Sequence, residues 1–475
     1  MHDKPQIEKT EAPPANETKP GVHLAPWERS FRKIISPFEE FIKNQTTASI
    51  ILMVCLVIAL LLANSPLADI YQQIVHLPIS LTIGDFGLEK SLLHWVNEGL
   101  MALFFFVMGL EIKRAILVGE LSSFRKAALP IVAALGGMIA PALLYYGINP
   151  EGSAARGWGI PMATDIAFAV GALVLLGSRI PRSLVMFLVA LAIVDDLGAV
   201  LVIAVFYTEQ IALGYLASAF ALLLVLIAFN LGGIRHPVPY FIVAFLLWLM
   251  LLKSGVHATI AGVAGAFTVP ARFKYDTLEF SRHVRELMER FDASQRPDAD
   301  IRTNDAQRTV LRTLERDIER VDTPLQRLEH FYHLPVALLV LPIFALANAG
   351  VPVAFDTIWV ALQHPVTLGV TLGLVLGKFI GITGSCWLAL KLNIGQLPEH
   401  TEFRHIAGVS LLAGIGFTMS LFIAELAFAG HAEQLLMAKL GILCASLAAG
   451  ILGYGWLLLT TRRKPARAEG KDNRG

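Results

Sequence analysis

The sequence has few charges. Only 16% of its 475 residues are Asp, Glu, Lys or Arg, against about 25% in typical soluble domains. The net charge of +1 leaves no excess that would attract nucleic acid. Its three cysteines show no CxxC spacing, so neither a disulfide framework nor a soft-metal site is predicted, and no cofactor is expected. Residues 1–30 lack the apolar core of a signal peptide. The chain is instead 55% hydrophobic, with a mean hydropathy of +0.60, which predicts a protein embedded in a lipid bilayer.

A window of about 19 residues finds twelve apolar segments that could span the membrane. They are 46–66, 93–118, 127–148, 157–177, 183–207, 211–230, 238–252, 255–271, 331–354, 365–390, 405–429 and 435–460. Fusing the short segments 238–252 and 255–271 would leave eleven. Twelve spans keep Lys and Arg concentrated in alternate connections, which predicts cytoplasmic N- and C-termini. The opposite connections, expected outside, then hold mostly acids, with Glu98 and Lys439 among their residues.

The predicted fold is therefore an all-α polytopic membrane protein. Two polar pieces interrupt it. Residues 78–90 alternate in polarity around a Gly-Asp pair and predict a small outer-side β-hairpin. Residues 272–329 carry two amphipathic patterns and predict a cytoplasmic helical insertion, an appendage without chemistry of its own. The predicted divisions are a cytoplasmic tail at 1–44, eight membrane helices with the hairpin at 45–271, the insertion at 272–329, four membrane helices at 330–460 and a cytoplasmic tail at 461–475.

Four charged residues fall near the middle of predicted spans: Asp165, Asp195, Asp196 and Lys378. Each costs about 2.5–3.5 kcal/mol at a helix centre, so each is a candidate functional group. Three acids and one base leave negative charge that either protons or a bound cation can neutralise. Because protons and a cation compete for such a site, the set predicts a transporter that exchanges one for the other.

Adjacent residues on a helix diverge by about 100°, so Asp195 and Asp196 are expected to have different partners. One carboxylate, helped by oxygens of Asp165 or Thr164, would bind the transported cation, and the other could pair with Lys378. Sodium, a hard cation, suits such oxygen ligands. A purely structural role in helix packing is the alternative for each of these residues.

Two predicted spans contain helix-breaking residues. Pro161 precedes Asp165, and Gly414 and Gly416 stand inside the span 405–429. Interruptions of this kind are typical of transporter sites built from discontinuous helices, although glycines also serve ordinary helix packing. Facing N-termini of half-helices would favour a carboxylate such as Asp165, and facing C-termini a lysine such as Lys378.

The chain carries a series of motifs in fixed order. They are GLEIKR (109–114), GGMIAPALLY (136–145), ATDIAFA (163–169), ALAIVDDLGA (190–199), KSGVHATIAG (253–262), LPIFALANAGV (341–351), GK (377–378) and GIGFTMSLFIA (414–424). Over about residues 45–460 the sequence resembles the NhaA family of sodium/proton antiporters. The resemblance implies an electrogenic exchanger of the bacterial inner membrane, a secondary transporter and not an enzyme. It would export Na⁺ or Li⁺ for a larger number of imported protons, be activated at alkaline pH, and serve pH and sodium homeostasis.

The same resemblance assigns roles to residues of the site. Asp196 would be the principal ion and proton carboxylate, and Asp195 its partner, paired with Lys378. Asp165 and Lys378 would offset the dipoles of two crossed, unwound helices that belong to inverted repeats. Residues 78–90 would form a homodimer contact.

The resemblance also implies a cytoplasmic pH-sensing cluster. Its members would be Glu111, Arg114, Arg327, Glu329, His330 and His333, with His257 also tied to the pH response. Histidine titrates near neutral pH, which suits the role, but a solvated group of loop charges remains an alternative. Ala115 stands where the family often has glutamate, and residues 272–323 enlarge the loop leading to the cluster.

Other membrane classes fit less well. An intramembrane aspartyl protease would need YD and GxGD motifs, whereas the contexts here are TD and VDDLG. A passive cation channel has no use for a buried lysine. A cation- or proton-coupled symporter of a small solute stays open as the alternative, and it would require a roomy polar site.

Overall fold

The protein is described by a computed structural model. It describes residues 45–83, 86–119, 121–208, 211–271, 277–295, 304–321, 323–352 and 358–461. The predicted N-terminal tail, the tip of the hairpin and nearly all of the C-terminal tail lie outside these residues.

The described chain is almost entirely helical. Its first half contains α1 (Gln45–Ala63), α2 (Ala68–Val75), β1 (Pro78–Ile83), β2 (Phe86–Ser91), α3 (Leu92–Trp95), a π-helical turn (Val96–Leu100), α4 (Met101–Leu117), α5 (Phe124–Ile148), a 3₁₀ helix (Ser153–Met162), α6 (Ile166–Val174), a 3₁₀ turn (Gly177–Arg179), α7 (Arg182–Phe206) and α8 (Leu213–Leu231). The second half contains α9 (Pro237–Ser254), α10 (Ile260–Thr268), α11 (Thr277–Ala293), α12 (Asp305–Val321), α13 (Pro324–Pro335), a π-helical turn (Val336–Val340), α14 (Leu341–Asn348), α15 (Ile358–Gln363), α16 (Pro365–Leu372), a π-helical turn (Gly373–Gly377), α17 (Lys378–Lys391), α18 (Phe403–Leu412), α19 (Phe417–Ala427) and α20 (Ala432–Thr460).

Within the described residues, eight helices are long and apolar enough to cross a membrane, or up to ten if each of two bent pairs is one span. Ten is fewer than the twelve spans predicted. The segment expected at 93–118 is a helical run divided by the π-helical turn Val96–Leu100. The one expected at 255–271 supplies only the nine-residue α10, about 14 Å long. The count of twelve therefore stays a prediction.

The polar pieces form local structure. β1 and β2 pair antiparallel, from Pro78 opposite Ser91 to Ile83 opposite Phe86. In the insertion, α11 and α12 pack against each other, and Leu287 of α11 is buried. Helix α13 begins at Pro324, so Glu329 belongs to a helix that runs into the predicted span 331–354 and not to the insertion.

The core surrounds α19, most of which is buried, and the middle of α7. Helix α7 has 25 residues, about 37 Å, enough to cross a bilayer. Asp195 and Asp196 lie at its centre and are fully buried. The packing of α5 on α17 brings Lys378, the first residue of α17, into the same core.

Candidate functional site

The site forms where two interrupted helices meet. The first interruption separates the 3₁₀ helix Ser153–Met162 from α6, and Ala163 and Asp165 are extended there. The second separates α18 from α19, whose axes differ by 49°. Both coincide with the predicted breaks at Pro161 and at Gly414 and Gly416.

Close packing around the second interruption explains its glycines. A Cβ atom at Gly414 would lie 2.5 Å from the carbonyl oxygen of Leu374. A Cβ atom at Gly416 would lie 2.8 Å from Leu374 Cδ2 and 3.1 Å from the carbonyl oxygen of Ala163. A side chain at either position would push away Leu374, in the π-helical turn before α17, and one at Gly416 would also crowd Ala163 of the first interruption.

Hydrogen bonds join the two interruptions directly. The Asp165 amide donates to the carbonyl oxygen of Ile415 at 2.7 Å. The Thr164 hydroxyl lies 2.9 Å from the carbonyl oxygen of Ala413. The Asp165 amide and the carbonyl groups of Ala413 and Ile415 thus find partners in the other break, as burial in an apolar environment requires.

The Asp165 carboxylate caps the N-termini of both half-helices, α6 and α19. Its Oδ1 accepts from the amide of Phe168 in α6 at 3.1 Å, and its Oδ2 accepts from the amide of Thr418 in α19 at 2.9 Å and from the Thr418 hydroxyl at 2.5 Å. Each helix N-terminus carries about half a positive charge, so the two together offset the carboxylate. The structure thus places Asp165 where facing N-termini meet.

The place where the two interruptions meet is called the crossing below. Lys378 lies on the other side of this crossing from Asp165 and is fully buried. Its Nζ donates to Asp195 Oδ2 at 2.5 Å and to Thr164 Oγ1 at 2.9 Å. Thr164 Oγ1 also lies 2.8 Å from Asp195 Oδ2. The threonine therefore links Lys378 and Asp195 to the α18 end, and within the described residues the lysine itself donates to no helix carbonyl.

Asp196 has a different environment from its neighbour. It is fully buried, and neither of its carboxylate oxygens has a hydrogen-bond partner among the described residues; the same holds for Asp195 Oδ1. Asp165 is offset by two helix ends and Asp195 by Lys378. Asp196 is thus the carboxylate of this set that the described residues leave without compensation.

The predicted pH-sensing residues come together only in part. His333 Nδ1 lies 3.0 Å from Glu111 Oε1, and Arg114 Nε lies 2.9 Å from Glu329 Oε1. Both contacts connect α4 with α13. Arg327 and His330 point outward and are exposed.

His257 belongs to neither contact. It lies between α9 and α10, with Nε2 2.9 Å from the carbonyl oxygen of Tyr207 and Nδ1 3.5 Å from Glu98 Oε1. Glu98 and Glu111 are 13 positions apart in one helical run, about 20 Å. The structure thus separates His257 from the Glu111–His333 contact.

Two predictions about connections are wrong. Glu98, expected in an outer connection, lies in the π-helical turn, is buried, and accepts from the Ala258 amide at 3.0 Å. Lys439, also expected in a connection, lies within α20 and pairs with Glu425 at 2.6 Å. The apolar windows 93–118 and 435–460 already included both residues; the error came from assigning charged residues near the ends of spans to the connections.

Sequence reasoning also gave Thr418 and Glu425 no role. Thr418 could have been suspected because a hydroxyl two residues after Gly416 can cap the helix that starts there. Glu425 stands in the apolar run SLFIAELAF, which marks it as a candidate intramembrane acid.

Comparison with known proteins decides the family. The family model described as Na+/H+ antiporter 1 matches residues 39–457. The chain is 55% identical to "Na(+)/H(+) antiporter NhaA 1" of Saccharophagus degradans over 91% of this chain and 93% of the relative. It is 54% identical to "Na(+)/H(+) antiporter NhaA" of Sulfurimonas denitrificans over 91% and 97%, and 51% identical to the protein of that name from Syntrophobacter fumaroxidans over 92% and 93%.

The chain belongs to the NhaA family of sodium/proton antiporters. The resemblance predicted from the motifs is thereby confirmed. Membership of the NhaA family, together with the apolar helices, makes the chain a multi-pass membrane protein and a transporter, not an enzyme.

Proposed function

We propose that the protein exchanges Na⁺ (or Li⁺) for protons across the membrane, and that Asp196 binds both. The observation that carries the proposal is that Asp196 is fully buried and neither carboxylate oxygen has a partner among the described residues. A buried carboxylate without a partner is costly, so it takes up a proton or a cation. The names of the relatives support sodium as the cation.

Competition at Asp196 provides the exchange. A protonated carboxyl is a weak ligand for a hard cation, whereas the ionised carboxylate is a strong one. Binding of Na⁺ thus requires loss of the proton, and proton binding expels Na⁺. Asp195 Oδ1, which has no hydrogen-bond partner among the described residues, and Thr164 Oγ1 are the nearby oxygens that we propose as further ligands.

The Asp195–Lys378 pair is proposed to respond to the cation. A cation that takes Asp195 as a second ligand competes with the ammonium group for the same carboxylate. Asp165 stays fixed to the two helix N-termini and keeps the crossing intact. In this proposal the aspartates of α7 bind the ion, and Asp165 has the structural role of holding the crossing together.

The solute symporter gains no support. A cavity of about 600 Å³ lies among α4, α9 and α10, and its lining, which includes Phe106, Phe241 and Trp248, is almost wholly apolar. The lining of this cavity includes neither Lys378 nor any of the three site aspartates, Asp165, Asp195 and Asp196. A polar solute would need hydrogen-bonding groups in its pocket.

The finer features of the NhaA resemblance stay part of this proposal. They are the import of more protons than exported sodium ions, activation at alkaline pH, a role in pH and sodium homeostasis, twelve spans with inverted repeats, cytoplasmic termini in a bacterial inner membrane, and a homodimer contact through residues 78–90. For the pH response we propose the contacts Glu111–His333 and Arg114–Glu329, because they join two helices through titratable groups.

Transport in inverted membrane vesicles tests the proposal. Adding Na⁺ to vesicles with an imposed proton gradient should dissipate that gradient for the parent protein and not for Asp196→Asn. Glu433→Gln, which changes an exposed carboxylate in the first turn of α20, is the matched control and should behave as the parent. A parent that gives no sodium-dependent signal, or an Asp196→Asn variant that exchanges normally, would refute it.

A further inference from the structure

Lys113 occupies a junction between helices that the proposed ion site does not use. Its Nζ donates to the carbonyl oxygens of Phe267 at 2.6 Å and Val269 at 2.5 Å, at the end of α10. Asn230 Nδ2, from α8, donates to the intervening carbonyl of Thr268 at 2.6 Å. Three successive carbonyls at this helix end are thus bound by side chains, and the ammonium group also offsets the negative end of the helix.

Helices α4 and α10 are packed closely enough to move together. A Cβ atom at Gly109 would lie 2.7 Å from Ala266 Cβ, and one at Gly262 would lie 2.8 Å from the backbone nitrogen of Phe106. Small residues that let backbones approach are typical of firm helix pairs in membranes. Lys113 closes this pair at the end that carries Glu111 and Arg114.

The same turn of α4 binds α13. Glu111 and Arg114 contact His333 and Glu329, which are the titratable and charged groups that α13 directs at this junction. Helices α8 and α10 contain no charged residue, whereas α7, which also packs against α4, carries Asp195 and Asp196 at its centre. Helix α13 is in turn tied to the end of α10, because the Leu325 amide donates to the carbonyl oxygen of Pro270 at 3.2 Å.

The opposite end of the pair carries the second predicted pH-responsive group. Glu98 accepts from the Ala258 amide at 3.0 Å, and His257 lies beside it, just before α10. His257 also contacts the carbonyl oxygen of Tyr207, where α7 ends. The α4–α10 pair therefore extends from the Glu111–His333 contact to a contact with the helix that carries Asp195 and Asp196.

We infer that Lys113 is a positioning residue of the pH response: by fixing α4 to the end of α10, it makes a change at the Glu111–His333 contact reach His257. The inference rests on the proposed function. It accounts for how His257, about 20 Å from that contact, can belong to the same response. Coupling of this kind needs a physical connection that both sites bias, and the α4–α10 pair supplies one.

The pH profile of exchange tests the inference. Lys113→Met should move the pH of half-maximal exchange by about half a unit or more, with the maximal rate within about twofold of the parent. Lys113→Arg should restore the parental profile, because guanidinium also donates to carbonyls. Asn230→Leu removes a bond to the same helix end without involving α4, and should leave the profile unchanged. An unchanged profile in Lys113→Met, or an equal shift in Asn230→Leu, would overturn the inference.

A second measurement does not depend on transport. Hydrogen–deuterium exchange of peptides covering residues 257–271 should respond to Glu111→Gln in the parent background and not in the Lys113→Met background. An equal response in both backgrounds would refute the coupling, even if the vesicles showed no exchange. If the parent protein showed no sodium/proton exchange but the hydrogen–deuterium exchange differed between the two backgrounds as expected, the proposed function would be refuted and the coupling would stand.

Discussion

Replacing Lys378 with methionine removes the only positive group that contacts Asp195 among the described residues. Both side chains are fully buried, and the lysine also donates to Thr164. Breaking a buried ion pair by removing one partner costs about 3–5 kcal/mol, because the remaining charge is left uncompensated. We therefore expect Lys378→Met to destabilise the protein by this amount. The double variant Lys378→Met/Asp195→Asn should recover at least about 2 kcal/mol, since the carboxylate charge is gone.

Thermal unfolding of the purified proteins in detergent measures the relative stability of the parent, the single variant and the double variant. The parent should melt highest, the double variant should follow, and Lys378→Met should melt lowest. Lys391→Met, an exposed lysine at the end of the same helix, is the matched control and should change stability by no more than about 1 kcal/mol, because it loses only a surface contact with the Trp387 ring. The reasoning is wrong if Lys378→Met melts with the control, or if neutralising Asp195 as well brings no recovery.

Three further substitutions test the crossing and the junction. Gly414→Ala should lower the free energy of unfolding, measured by thermal unfolding, by about 1–3 kcal/mol, because its Cβ would meet the Leu374 carbonyl. Gly384→Ala in α17, with open space around it, is the control. Equal losses of stability in the two variants would contradict the steric argument. Thr418→Val should cost about 1 kcal/mol and slow exchange, since Asp165 loses its hydroxyl donor; unchanged stability and rate would remove Thr418 from the site. His333→Ala should shift the pH profile of vesicle exchange by about half a unit or more, because it removes the titratable partner of Glu111. His330 is exposed, and His330→Ala should leave the profile unchanged. The same pH profile in both variants would count against a sensor at the Glu111–His333 contact.

The depth of the charged residues was predictable from the sequence. The ends of an apolar helix are marked by charges, and its rise per residue is constant, so Asp195 and Asp196 had to lie near the middle of α7. The helix breaks were predictable for a similar reason, because Pro161 and Gly416 act locally on the backbone.

The partners were less predictable, because they depend on contacts between distant parts of the chain. The Asp165 carboxylate meets the Thr418 amide across 253 positions. Which of two adjacent aspartates faces Lys378 depends on the rotation of α7, and residue spacing constrains that rotation only to the 100° between them. Glu98 and Glu425 were misjudged or passed over because burial near a helix end is decided by the neighbouring helix, not by local hydropathy.

The division of charge at the crossing bears on why the proposed transport would be an exchange and not a leak. Asp165 and Asp195 have protein partners, so their charges are offset with or without an ion. Asp196 has none among the described residues, and a bare carboxylate at this depth is costly. A site that changes its access from one side of the membrane to the other while Asp196 is bare must bear that cost, whereas one loaded with Na⁺ or with a proton need not. Release of one ion therefore favours capture of the other before access changes, which couples the two fluxes without any contact between them.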